Sequence, residues 1–247
     1  MITAFRSEIR KILSVRSTYI FLAISMAMEL LFAFYLTAWR ATGEQLASPH
    51  YLSSQVVSAI NPLMLFGSLV GILLVTHEYR YNTIMYTLTA ARSRTKVLVA
   101  KLLAVTLFAL IFTFVFGLLS PLLSLLAIKI HGLHLGHQEI AYATLAARSL
   151  FAGWAFMILG FILAVIIRAQ VGALVTMFLL PGPVEAILGL LLKKNAVYLP
   201  FSANNTLLDI QGQGAHISYT RAALVVSIYI VVGWIVAWYL FLKRDAA

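Results

Sequence analysis

Six apolar runs, separated by shorter polar segments, dominate the pattern of this chain. Each run has the roughly twenty residues that a helix needs to cross the hydrocarbon of a bilayer. The runs cover residues 19–39, 56–75, 97–128, 149–167, 171–192 and 222–242. This pattern predicts an all-α, polytopic membrane protein whose six transmembrane helices form a single transmembrane domain over residues 1–247.

A polar segment at residues 77–96 separates the second apolar run from the third. Its one acidic residue is Glu78, and its basic residues are Arg80, Arg92, Arg94 and Lys96. Because basic residues concentrate on the cytoplasmic side of membrane proteins, we expect this segment to be cytoplasmic. Most of the other lysines and arginines then fall on the same side, which predicts that both termini are cytoplasmic as well.

Two short amphipathic helices are predicted on that side of the membrane. In the polar segment, Thr83 or Asn82 can cap a helix in which Ile84 and Leu88 share one face. Before the first span, residues 1–18 carry apolar side chains within one arc of a helical wheel, which is typical of a helix lying in the interface.

The fifth apolar run is interrupted by Pro181, Gly182 and Pro183. Proline removes a helical hydrogen bond, so these residues predict a broken or re-entrant segment on the outer side, with a role as a gate. Glu185 follows in the first turn of a new helix, where a carboxylate can satisfy free amide groups. It is therefore either a local cap or part of the translocation path.

Three further residues in the apolar runs suggest function or packing. Glu29 lies in the middle of the first run, where a charge costs roughly 3 kcal/mol to insert. It is either part of a translocation path or a neutral, hydrogen-bonded helix contact. Gly67 and Gly71 form a small-xxx-small pattern, which predicts close packing against another helix of the same chain or of a dimer.

The amino-acid composition supports a membrane protein and excludes other classes of protein. The chain is 62% hydrophobic and 11% charged, which is too apolar for a soluble domain. The 18 basic residues exceed the 8 acidic ones, but they flank the apolar runs, so we read them as topology signals and expect no nucleic acid. No catalytic arrangement stands out, and His131, His134 and His137 lack a carboxylate partner, so no metal site is predicted.

Three motifs together resemble the membrane subunit of a type 2 ATP-binding-cassette (ABC) exporter. The first runs from Glu8 to Lys11 and continues with Val15-Arg16-Ser17 before the first span. The second is Glu78-Tyr79-Arg80, followed by Thr83, Leu88 and the sequence Ala91-Arg-Ser-Arg-Thr-Lys96. The third is Tyr198-Leu-Pro-Phe201 before the last span. The resemblance covers nearly the whole chain.

The resemblance implies a permease that moves a drug, peptide or lipid-like substrate outward across the cytoplasmic membrane of a prokaryote. ATP and magnesium are then bound by a separate ATPase subunit, present in two copies, and the other partners are membrane lipid and a second permease copy or paralogue. The helix after Glu78 is implied to be the coupling helix, and the N-terminal helix the second ATPase contact. The ATPase-coupling residues implied are Glu8, Lys11, Arg16, Glu78, Arg80, Thr83 and Leu88.

The sequence is consistent with a transporter that obtains its energy from a partner subunit. It contains no phosphate-binding loop of the pattern G-x-x-x-x-G-K-[ST], so we expect no ATPase activity and no cofactor bound by this chain. The alternative is an ion-coupled secondary transporter that uses Glu29 as its proton site. Such transporters often have repeated halves, and no clear internal repeat is present.

Overall fold

The computed structural model describes residues 2–91, 93–138, 141–208 and 217–244, so Arg92 of the polar segment lies outside the described residues. Within them the chain is helical, without strands, which confirms the predicted all-α class. Six helical segments are long and apolar enough to cross a membrane, as predicted. They are Arg16–Trp39, Tyr51–Arg80, Arg94–Ile130, Tyr142–Ile167, Gln170–Tyr198 and Tyr219–Lys243.

The first part of the chain forms an N-terminal helix and the first two spans. Helix α1 (Ile2–Ser14) is followed by α2 (Arg16–Leu31), which continues as the π-helical segment Phe32–Trp39. A short helix, α3 (Gly43–Ala47), leads into α4 (Tyr51–Arg80). In α1 only Glu8 and Ile12 are buried, so one narrow face of this helix packs on the bundle.

The middle of the chain contains the short helix that the polar segment predicts. Helix α5 (Ile84–Ala91) lies between α4 and the 37-residue helix α6 (Arg94–Ile130). The side chain of Ser93 caps α6 by accepting a hydrogen bond from the Lys96 amide. Helix α7 (Tyr142–Ile167) then returns through the bundle.

The bundle is centred on α4 and α7, which are the most buried of the six spans. Gly67 of α4 faces the side chain of Met157 in α7, and a Cβ atom at Gly71 would lie 3.2 Å from Val105 in α6. The two glycines therefore serve close packing inside the chain, and neither lies on a face that a second copy could reach.

The predicted interruption around Pro181 and Pro183 takes the form of a widened helical turn. Helix α8 (Gln170–Leu179) continues through the π-helical turn Leu180–Val184 into α9 (Glu185–Leu192). A π-turn shifts the hydrogen-bond partners by one residue and so accommodates a missing amide donor without ending the helix.

The helical path ends later than the prolines suggest, at Lys193, where φ is 50°. The 3₁₀ segment Lys193–Tyr198 and helix α10 (Pro200–Leu208) follow, and α10 packs between α7 and the last helix, α11 (Tyr219–Lys243). Re-entry of this segment into the membrane stays a prediction.

Candidate functional site

Two acidic and two basic side chains meet where α1, α4 and α6 converge, and we call Glu8, Lys11, Glu78 and Lys101 the ion cluster. The Nζ atom of Lys101 lies 2.8 Å from Oε2 of Glu8 and 2.9 Å from Oε1 of Glu78. The Nζ atom of Lys11 lies 2.6 Å from Oε1 of Glu8 and also pairs with Oε1 of Glu78. Each lysine thus bridges both carboxylates, and the cluster is formally neutral.

Three of the four members of the ion cluster are buried, and the fourth, Lys11, is partly exposed. Lys101 is 1% exposed, Glu8 2% and Glu78 5%. Lys101 also donates a hydrogen bond of 3.1 Å to the carbonyl oxygen of Leu74, so its ammonium group has three acceptors. A buried charge left without its partner is strongly unfavourable, so the cluster fixes the relative positions of the helices that supply it.

Thr87 connects α5 to the same cluster. Its hydroxyl donates a hydrogen bond of 3.2 Å to Oε1 of Glu78 and accepts one of 3.5 Å from Lys11. The loop before α5 is held as well, because the amide of Thr83 donates a hydrogen bond of 2.9 Å to the carbonyl oxygen of Glu78. The cluster therefore joins four helices: α1, α4, α5 and α6.

Lys11 remains charged because its partners outweigh the effect of burial. Burial acts to lower the pKa of Lys11, but the Coulombic attraction of Glu78 and the hydrogen bonds to Glu78 and Glu8 raise the pKa above its usual value. A raised lysine pKa in the folded state stabilises the fold below the unfolded pKa. This contribution is fully present at neutral pH and is lost only as the pH rises through the raised value.

The remaining residues implied for coupling lie around the cluster and make other contacts. Arg80 does not pair with Glu78, two residues before it; its guanidinium donates a hydrogen bond of 3.2 Å to Gln170 at the start of α8. Leu88 is half-buried and packs against the core from α5. Thr83 is exposed, and Arg16 is exposed at the first position of α2.

Helix α5 also carries two large exposed side chains, Met85 and Tyr86, and we call the surface that they form the free face of α5. Ile84 is buried, whereas Met85 is 55% and Tyr86 78% exposed. Because Thr87 holds this short helix to the ion cluster, the free face of α5 is a candidate surface for contact with another protein.

Glu185 acts as a cap, but for a different helix from the one the sequence suggested. Its Oε1 accepts a hydrogen bond of 2.8 Å from the Phe201 amide, and its Oε2 accepts bonds from the Ser202 amide at 2.7 Å and the Ser202 hydroxyl at 2.6 Å. These donors belong to the first turn of α10. Glu185 thereby links the start of α9 to the start of α10, on either side of the reversal at Lys193.

Glu29 is 1% exposed inside the chain, between the first span and α6. Neither of its carboxyl oxygens has a hydrogen-bond partner among the described residues. The Ser120 hydroxyl of α6 faces it without reaching hydrogen-bond geometry. Among the described residues, no hydrogen bond or ion pair joins Glu29 to the ion cluster or to the segment Pro181–Pro183.

Sequence reasoning missed Lys101 and Thr87 as members of the site. Lys101 falls inside the predicted third span, where an ionisable residue signals a function or a partner, and that signal was available in the sequence. Thr87 gives no comparable signal. Among the described residues, no group of three His, Asp or Glu side chains is placed to hold a metal ion.

Comparison with known families gives a match that includes the entire ion cluster. A family model described as "ABC-2 family transporter protein" matches residues 4–195. No curated protein matches the chain.

Proposed function

The chain belongs to the ABC-2 family of transporter membrane proteins, and from that membership we propose that it is the permease of an ATP-driven exporter. It is a multi-pass membrane protein and the membrane subunit of an ABC-type transporter. Permeases of this family lack an ATPase site of their own and associate with an ABC ATP-binding subunit. The proposal concerns how this chain receives the energy of that subunit and what it does with it.

The observation that carries the proposal is the ion cluster. A short helix can pass on force only if it is held rigidly to the spans that must move. Thr87 holds α5 to Glu78 at the end of α4, and Lys101 holds the same carboxylate to α6. Movement of α5 is therefore delivered to the second and third spans together, and Glu8 and Lys11 bring α1 into the same unit.

The free face of α5 supports docking of the ATPase at this point. Tyr86 and Met85 present exposed apolar and aromatic surface. We propose that this face enters a groove of the ATP-binding subunit, with Arg16, Arg80 and the exposed side of α1 at the rim. The docked side of the protein is then cytoplasmic, as are both termini.

The transported substrate and the assembly complete the proposal. The substrate is a drug, a peptide or a lipid-like molecule, and it moves outward through an interface between two permease chains in the cytoplasmic membrane of a prokaryote. ATP and magnesium bind to the ATPase subunit, which is present in two copies. The segment from Pro181 to Pro183 and the link made by Glu185 form part of the exit gate, because π-helical turns often occur at functional positions in helices.

One observation favours a second candidate, an ion-coupled transporter. Glu29 is a buried carboxyl group without a hydrogen-bond partner in the described part of the chain, and such groups mark proton sites in membrane proteins. In that case Glu29→Gln abolishes proton-coupled uptake into vesicles that contain this chain alone. An exporter driven by the ATPase subunit shows no such uptake in either form.

The proposal is tested by following the outer segment while ATP acts on the partner. The chain has no cysteine, so Leu190→Cys places a single fluorescent label on an exposed residue of α9. In the complex with its ATPase subunit, ATP and vanadate should change the label's fluorescence. Lys101→Met should remove that change while the ATPase stays bound, and Lys96→Met, an exposed lysine of the same helix, should retain it.

The opposite pattern would contradict the proposal. If Lys101→Met and Lys96→Met gave the same change as the parent chain, the ion cluster would serve stability alone and movement would reach the outer segment by another route.

A further inference from the structure

A cavity of about 150 Å³ lies between α4, α6 and α7, at the opposite end of α4 and α6 from the ion cluster. Its wall is formed by the first turns of α4 and α7 and by the second half of α6. Most of this wall is apolar and includes Val56, Ile60, Leu118 and Leu150. An apolar cavity of about 150 Å³ is large enough to bind benzene, so a single aromatic ring fits here.

Two buried hydroxyl groups line this cavity without a partner. Thr113 of α6 and Ser149 of α7 are each 4% exposed and belong to the wall. In the described part of the chain, neither the Oγ1 atom of Thr113 nor the Oγ atom of Ser149 has a hydrogen-bond partner. Buried hydroxyls are normally satisfied, so two of them on one cavity indicate that it receives a polar group.

The missing hydrogen bonds are not a general property of hydroxyl residues in these spans. Thr76 and Ser25 each donate to the carbonyl oxygen four residues earlier, at 3.0 and 2.8 Å respectively. This bond to the preceding turn is the common arrangement for serine and threonine inside a helix. Thr113 and Ser149 do not make it. Gly153, which faces Thr113 from α7, has no side chain that could replace it.

The backbone of α6 adds an acceptor to the same wall. Pro121 lies inside α6 and has no N–H group, so the carbonyl oxygen of Gly117 loses its regular helical donor. Gly117 also lines the cavity, and a Cβ atom there would have no neighbour within 4 Å, so no side chain covers it. The cavity thus combines two hydroxyls, which can donate or accept, with a carbonyl group that can only accept.

We propose that this cavity binds a small phenol, a neutral aromatic ring with one hydroxyl group. The ligand hydroxyl donates to the carbonyl oxygen of Gly117 and accepts from the hydroxyls of Thr113 and Ser149, while the ring packs on the apolar wall. None of the described residues that line the cavity has a charged side chain, which favours a neutral ligand.

The position of the cavity mouth gives the route of entry. Phe114 and Leu118 are 54% and 52% exposed and lie in an apolar span, so the ligand reaches the site from the bilayer. The site requires no ATPase subunit, and its test is therefore independent of the proposed transport function.

The test compares 4-fluorophenol with 4-fluorotoluene, which differ only in a hydroxyl or a methyl group on the same ring. Binding is followed by fluorine NMR with the purified chain in lipid nanodiscs, and empty nanodiscs give the blank for partition into lipid. One hydrogen bond contributes about fivefold and the ligand hydroxyl makes more than one, so 4-fluorophenol should bind at least about tenfold more tightly. Thr113→Val and Ser149→Ala should each weaken 4-fluorophenol about fivefold and leave 4-fluorotoluene unchanged.

The matched control is Thr76→Val, because Thr76 is a buried threonine that already has its hydrogen bond and does not line the cavity. It should leave the affinity for both probes unchanged. Equal affinity for the two probes, or no saturable signal above that of empty nanodiscs, would overturn the proposal, since water alone would then satisfy the hydroxyls. An equal loss in Thr76→Val and Thr113→Val would overturn it as well.

The stability of the unliganded variants supplies a second readout. Thr113→Val removes a hydroxyl that bonds nothing in the chain, so the temperature of unfolding should not fall. Thr76→Val removes a bond to Ile72 and should lower that temperature. A comparable decrease in both variants would show that Thr113 has a partner within the chain, and the site would lose its donor.

Discussion

Replacing Lys101 by Met tests whether the ion cluster holds the helices together. Lys101 is almost fully buried and pairs with Glu8 at 2.8 Å and Glu78 at 2.9 Å. Methionine fills a similar volume but leaves two buried carboxylates to share Lys11, so the cluster acquires a net negative charge. Removal of one partner from a buried ion pair costs about 3–5 kcal/mol, and we expect a loss of that size in the free energy of unfolding.

A second substitution should recover much of this loss. In the double variant Glu8→Gln and Lys101→Met, the remaining pair of Lys11 and Glu78 is neutral again. The double variant should therefore be more stable than the sum of the two single losses predicts, by about 1–3 kcal/mol, which is the range for groups in one network. The measurement is unfolding by sodium dodecyl sulfate in dodecyl maltoside micelles, followed by tryptophan fluorescence.

Lys96→Met is the control, because Lys96 is an exposed residue of the same helix. It should change the stability by no more than about 0.5 kcal/mol. The reasoning is refuted if Lys101→Met is as mild as this control, or if the losses in the Glu8 and Lys101 variants simply add.

Three further predictions concern residues outside the cluster. Glu185→Gln should lower the free energy of unfolding by about 1–2 kcal/mol and speed backbone amide hydrogen exchange at the start of α10, because a neutral glutamine side chain cannot accept the three charge-assisted hydrogen bonds. Unchanged exchange would contradict the cap. Gly67→Ile should destabilise the single chain by about 1–3 kcal/mol through its contact with Met157, and a loss seen only in the dimerisation constant would place the glycine at an interface instead. Arg80→Ala should change the unfolding free energy by no more than about 1 kcal/mol, since its bond to Gln170 is exposed, and a loss as large as that of Lys101→Met would show a contact with the cluster.

The six spans were predictable because apolar runs of membrane length have few alternatives. The path of the chain around Pro181 and Pro183 was less predictable. Proline removes a helical hydrogen bond, but the sequence does not indicate whether the helix then breaks or widens. The structure widens it into the π-turn Leu180–Val184. The reversal comes at Lys193, whose positive φ carries no proline or glycine signal.

The members of the candidate site were likewise only partly predictable from the sequence. The acidic members Glu8 and Glu78 were predicted from motifs, but their shared partner Lys101, at the start of the predicted third span, was read only as one of the basic residues that set the topology. Lys101 is separated from Glu8 by 93 positions in the chain, and no local pattern reports a contact over such a distance. Arg80 shows that nearness in the chain is no better guide, since it lies two residues from Glu78 and bonds Gln170.

The most direct test of the account is purification of the tagged chain from its native membranes, followed by identification of bound ATP-hydrolysing protein. The chain should retain an ATP-binding subunit with a phosphate-binding loop, and Tyr86→Ala on the free face of α5 should release it. Tyr142→Ala, an exposed tyrosine at the start of α7, should leave the complex intact. Absence of an ATP-binding subunit, or its equal retention by both tyrosine variants, would contradict docking at α5.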